Sequence, residues 1–121
     1  EDVDLSATAL RETQEELGLA PDDVEVLGAL EPVHTFVSAI LIVPFVGVVS
    51  AAPVFTPSEA EIAEVLSYRL DELMAAETTV EWPRDGLVYR GFAYPMGDGN
   101  TIWGATATIV NELMAIVRSR S

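Results

Sequence analysis

The chain has no cysteine and no lysine, and His34 is its single histidine. Without cysteine, disulfides and thiolate chemistry are excluded, and a reducing compartment suits such a sequence. All six basic residues are arginine: Arg11, Arg69, Arg84, Arg90, Arg118 and Arg120. Against them stand 20 acids, giving a formal net charge of −14. A surface this acidic repels phosphate backbones, which sets aside nucleic-acid binding as a main function, and attracts metal cations instead.

No apolar run is long enough to span a bilayer. The longest is FVSAILIVPFVGVV, Phe36 to Val49. It falls short of the roughly 20 residues a membrane helix needs, and Pro44 interrupts it. Its β-branched content reads as buried strand. The opening EDVDLS is acidic and polar, the reverse of the basic start of a signal peptide. These features predict a cytoplasmic protein that engages neither membrane nor nucleic acid. Internal repeats, low-complexity tracts and linkers are missing too. What is present is a composition 50% hydrophobic over 121 residues, which predicts one globular domain, residues 1–121, with a modest core.

Leu5 to Leu17 reads as a helix, with Asp4 as N-cap and Gly18 just past its end. At about 100° per residue, Ala9, Leu10, Thr13 and Leu17 share one arc, and Arg11, Glu12, Glu15 and Glu16 occupy the other side. APDD is a turn, and VEVLGAL (Val24 to Leu30) is a strand with a bend at Gly28. Phe36 to Val49 is expected as one long strand, with Pro44 at a bulge or edge. Ser50 to Glu61 is a loop, Ala63 to Leu70 a strand, and LDELMAA a short helix. VEWPRDG is expected to turn the chain, Leu87 to Tyr94 is a strand, and PMGDGN is a turn. A final helix opens at Ile102 or Trp103 and runs to about Arg118. Helices and strands interleave, so the class is α/β or α+β.

Glu12, Glu15 and Glu16 converge on one helical patch through i,i+3 and i,i+4 spacing. Each like-charged pair destabilises an isolated helix by roughly 0.2–0.5 kcal/mol. A solvated acidic face is the common outcome for such a run. Two details point elsewhere. Arg11 precedes Glu15 by four residues and can brace its carboxylate. The acids also form an oxygen cluster of the type that Mg²⁺ or Mn²⁺ prefers, whereas zinc would lack its usual ligands. Such cations suit phosphates and pyrophosphates, by bridging oxygens and activating a water, with a remaining carboxylate as base.

RETQEELGL, Arg11 to Leu19, resembles the second half of the Nudix box. There, Arg and Glu are followed after two positions by Glu-Glu, a spacer, Gly and an apolar residue. The charged positions and the Gly match, while Thr13 stands where an aliphatic residue is commoner. More of the chain resembles the coenzyme A pyrophosphatase branch. TALRETQEELGL is similar around the box and VPFVGVV in the central strand. SEAEIAEVLSYRLDEL is similar to the branch's acidic loop, strand and short helix, and IWGATATIV to the entry into its last helix. The first half of the box is not visible: eight positions before Arg11 stands Val3, where the general box has Glu, with Asp2 and Asp4 beside it. The glycine-rich loop and the upstream motif of the branch are expected before Glu1.

The resemblance implies a Nudix α/β/α sandwich around a mixed β-sheet, without its N-terminal strands in this chain. It implies that Glu12, Glu15 and Glu16 hold Mg²⁺ or Mn²⁺ and that Arg11 orients them by salt bridge. Glu61, with Glu59 and Glu64 as rivals, would assist the metal or act as general base, so the catalytic roles fall on Arg11, Glu12 and Glu61. The implied reaction is hydrolysis of the pyrophosphate bond of coenzyme A or its thioesters to adenosine 3′,5′-bisphosphate and a 4′-phosphopantetheine species. Another nucleoside diphosphate derivative, such as ADP-ribose or a dinucleotide, or a nucleoside triphosphate is the alternative substrate. A nucleotide-binding module without turnover is the alternative from another class. The expected partner is a small nucleotide, and a homodimer is the assembly considered. His34 could contact a phosphate, but a loop or edge position is the commoner role. Trp82, Trp103 and Tyr94 could stack on an adenine, but packing is expected for each. Asp98 and Asn100 read as turn residues.

Overall fold

The computed structural model describes residues 4–35, 40–49, 53–60 and 64–120. In chain order the elements are α1 (Leu5–Leu17), a 3-10 turn (Pro21–Asp23), β1 (Val24–Ala29), β2 (Val33–His34), β3 (Leu41–Ile42), β4 (Phe45–Val49), α2 (Leu70–Ala76), β5 (Thr78–Arg84), β6 (Leu87–Pro95), β7 (Thr101–Ile102) and α3 (Gly104–Ser119). Helices and runs of strands interleave, the mixed class expected. The chain divides into two compact units, Glu1–Ala29 with Val43–Ser67, and Leu30–Ile42 with Tyr68–Ser121. No helix among the described residues is long and apolar enough to cross a membrane.

In the first unit, α1 begins where the Asp4 carboxylate accepts from the Ser6 and Ala7 N–H groups at 3.1 and 3.3 Å and from the Ser6 hydroxyl at 2.7 Å. These bonds satisfy N–H groups that have no partner within the helix. The Ser6 hydroxyl bond, chiefly, holds the Asp4 carboxyl below its ordinary range. The helix ends at Gly18, whose φ of 75° is left-handed. Behind it, β1 pairs antiparallel with β4, Val24 opposite Val49 and Ala29 opposite Phe45. The register shifts between Val26 and Gly28, which is the bend anticipated at that glycine.

The second unit carries the packed core. β5, β6 and β7 form an antiparallel sheet in that order, and β2 pairs antiparallel with β3. Asp85 and Gly86, with φ of 54° and 78°, make the two-residue hairpin turn between β5 and β6. Leu73, Tyr94, Met96, Ala107 and Met114 are buried together, with Phe92, Ile102, Val110 and Leu113 packed on them.

Three expectations are corrected. The described part of the Phe36 to Val49 run is two strands, broken at Val43 and Pro44, while residues 36–39 lie outside the described residues. Pro44 lacks the N–H a continuous ladder needs, and the halves take different partners, β3 with β2 and β4 with β1. Residues 64–69 form no strand. Instead Arg69 starts α2: its N–H donates to Glu72 at 3.0 Å, and its guanidinium grips Asp71 at 3.0 and 3.1 Å. VEWPRDG is mostly strand, because Val80 to Arg84 belong to β5. Among the described residues β5 pairs only with β6, so Pro83 sits on an edge, where a missing N–H is tolerated.

Candidate functional site

The acidic patch is built by the helical repeat of α1. Arg11 Nη1 lies 3.0 Å from Glu12 Oε2 and 2.9 Å from Glu15 Oε2, so one nitrogen bridges two carboxylates. The i,i+4 brace expected from spacing is present. All three side chains are about half exposed, at 57, 48 and 52%. The hydrogen bond to Glu15, then the charges of Glu15 and Glu12, raise the Arg11 pKa further above its ordinary value. Glu16 is half-buried and its carboxylate has no hydrogen bond or ion pair among the described residues.

The opposite face of α1 is apolar. Ala9, Leu10 and Thr13 line a cavity of about 310 Å³ together with Val24, Val26, Phe45 and Val49. Thr13 fits this face because its hydroxyl donates to Ala9 O at 2.8 Å, leaving its methyl group for apolar contact. The acids are thus turned from the apolar seam by helical geometry alone.

The C-terminal end of α1 is tied to the segment 53–60. Thr56 N–H donates to Leu17 O at 2.7 Å, and Ser58 N–H donates to Glu16 O at 2.8 Å. Gly18 N–H closes the helix on Gln14 O at 2.9 Å. A Cβ at Gly18 would lie 2.8 Å from Thr56 Cβ, so this position needs glycine for space as well as for φ. Sequence reading found the helix stop and missed the tie. The available signal was Thr-Pro-Ser at 56–58: two residues able to donate flank one that cannot.

Glu59 is exposed, one residue beyond Ser58, and Glu64 is exposed. Glu61 lies outside the described residues. His34 is exposed on β2, in the other unit. Among the described residues no three acidic or histidine side chains converge on an ion position as they stand. Glu12 and Glu15 converge on Arg11 instead. The donor set nevertheless fits a hard divalent cation in kind: anionic oxygens on one helical face, two of them already gathered around one cationic group.

The aromatic candidates lie in the second unit. Tyr94 is fully buried; its hydroxyl donates to Glu77 Oε1 at 2.6 Å, with Asn111 Nδ2 at 3.3 Å and Arg118 Nη2 3.3 Å from Oε2. The Tyr94 hydroxyl, with Arg118 and Asn111, holds the Glu77 carboxyl below its ordinary range. Burial first, then Glu77, pushes Tyr94 up to about 12. Trp82 stacks on Tyr89 with ring centroids 6.1 Å apart and covers Gly91. Both are packing roles, as expected. Trp103 differs: it precedes α3 in an extended conformation and is 74% exposed, so its ring is not core. Asp98 accepts from Asn100 N–H at 2.9 Å and the Tyr68 hydroxyl at 2.8 Å, which is the turn chemistry anticipated.

Comparison with known proteins places the sequence. The model of the NUDIX domain matches residues 1–90. A protein of Pectobacterium atrosepticum named "Uncharacterized Nudix hydrolase NudL" is 34% identical over 120 residues, covering 98% of this chain and 62% of that protein. A NudL of Photorhabdus laumondii is 32% identical over 114 residues, covering 93% of this chain and 60% of that protein. "Nudix hydrolase 22, chloroplastic" of Arabidopsis thaliana is 34% identical over 128 residues, covering 98% of this chain and 41% of that protein. The chain therefore spans between 41 and 62% of the length of these relatives.

Proposed function

We propose that this chain, which belongs to the Nudix family, is the hydrolase domain of a divalent-metal-dependent pyrophosphohydrolase that acts on coenzyme A or its thioesters. The observation that carries the reading is the acidic face of α1, with two carboxylates bridged by Arg11 and a third, Glu16, without a protein partner among the described residues. Relatives named Nudix hydrolases support the reaction class. The coenzyme A branch rests on the resemblances around the box, in VPFVGVV and in IWGATATIV.

In this reading Glu12, Glu15 and Glu16 would hold Mg²⁺ or Mn²⁺. When bound there, the ion would supply Lewis-acid polarisation of phosphate oxygens and a more acidic water. Arg11 orients two of the carboxylates by its ion pairs and offsets their mutual repulsion until they are shared with a cation. A loop acid, Glu61 with Glu59 and Glu64 as rivals, takes the proton from the attacking water. The water oxygen bonds to phosphorus as the bridging P–O bond breaks, and the other phosphate leaves with the bridging oxygen. The partner is a small nucleotide and the setting the cytoplasm.

The test is turnover of the complete protein with Mg²⁺ on coenzyme A, ADP-ribose and a nucleoside triphosphate. Fastest cleavage of coenzyme A supports the reading. If coenzyme A is the poorest substrate, the branch is wrong and another nucleotide takes its place. Nucleotide binding without turnover of any would favour a binding module.

A further inference from the structure

Three features of the first unit bear on the end of the acidic helix. Thr56 and Ser58 donate their N–H groups to the carbonyls of Leu17 and Glu16, which no helical residue can satisfy. Pro57 between them has no N–H and fixes its own φ, so the segment presents its donors at alternate residues with one degree of freedom removed. Gly18 leaves the space that Thr56 occupies, at a distance no side chain at 18 would allow.

We infer that Thr56, Pro57 and Ser58 are a positioning clamp, which holds the last turn of α1 so that Glu16 stays aligned with Glu12 and Glu15 for cation binding. The inference rests on the cation-binding role proposed above. The last turn is the part of a helix that frays most readily, and it carries two of the three acids. Asp4 secures the other end, about two turns from the nearest of the acids. The bonds run through backbone N–H groups, so the side chain at 58 matters only if it removes the donor.

The experiment uses the full chain and Mn²⁺ alone as probe, titrated by water-proton relaxation, with kcat and KM measured in parallel. Ser58→Pro removes one donor. It should weaken Mn²⁺ binding about threefold to tenfold, the range of one net hydrogen bond, and lower kcat by a similar factor with little change in KM. Ser58→Ala keeps the N–H and should retain Mn²⁺ affinity. Gly18→Ala should weaken Mn²⁺ binding, and adding Thr56→Gly should recover part of the loss; this pair decides the matter if Ser58→Pro does not fold. No recovery would assign the loss to left-handed strain at 18 and overturn the clamp. Normal Mn²⁺ affinity in Ser58→Pro, beside lost affinity in Glu16→Gln, would overturn the clamp and leave the functional reading standing. Unchanged affinity in Glu16→Gln would overturn that reading itself.

Discussion

In the unit formed by Leu30–Ile42 and Tyr68–Ser121, seven described residues are buried, from Leu30 to Met114, and a polar network closes the core around Tyr94. In the unit formed by Glu1–Ala29 and Val43–Ser67, no described residue is fully buried, and the apolar face of α1 opens on a cavity of about 310 Å³. The unit with the core is held by its interior. The unit with α1 holds its helix by the ends: Asp4 at one terminus, Gly18, Thr56 and Ser58 at the other. The difference teaches where a charged site can be built. Three acids on one face weaken a helix, and here end contacts carry the compensation that a core supplies in the other unit.

The contrast breaks most visibly in core substitutions. Met114→Ala should destabilise the protein by about 2–5 kcal/mol, because it empties a fully buried position. Leu10→Ala, at the open seam, should cost about 1 kcal/mol or less. Denaturant unfolding measures both, and equal costs would erase the distinction.

Tyr94→Phe comes next, at about 1–3 kcal/mol at neutral pH, since it removes the shortest hydrogen bond to the partly buried Glu77 carboxylate. It also carries a pH signature. The folded Tyr94 pKa of about 12 lies above the ordinary 10.0, so its stabilisation is complete below pH 10 and is lost as pH rises toward 12. The wild type should therefore lose stability more steeply than Tyr94→Phe across that window. Glu77 acts in the other direction: its pKa lies below the ordinary 4.5, so its contribution is complete above that pH and fades on acidification.

The smallest effect sharpens the comparison. In native-state hydrogen exchange, α1 amides should exchange faster than those of α3, whose Ala107 and Met114 are buried. Asp4→Ala should speed exchange at Ser6 and Ala7 and leave α3 unchanged. Matching change in α3 would mean that the helix ends are not the local support described.

How far the sequence could be read follows the same line. The bounds of α1 were legible because Asp4 and Gly18 are strong local signals. The short helix LDELMAA and the strand ending near Tyr94 were legible from composition and alternation. The break at Pro44 was not, because two strands sharing one apolar run differ only in partners far along the chain. β5 was misread as a turn because Pro83 signals a break anywhere except on an edge. At the site, the Arg11 brace followed from spacing, whereas the tie from Thr56 and Ser58 joins residues about 40 positions apart and depends on a backbone path that periodicity does not encode.

The central claim is that Glu12, Glu15 and Glu16 form a cation site and not a solvated face. The direct test is Mn²⁺ titration of two triple variants that remove equal charge from the same unit. One replaces Glu12, Glu15 and Glu16 with Gln. The other replaces Asp22 and Asp23 with Asn and Glu25 with Gln, acids that surround a separate shallow cavity. The expected result is loss of the tight Mn²⁺ site in the first variant and its retention in the second. Equal Mn²⁺ affinity in the two would show diffuse attraction to an acidic surface and contradict the claim.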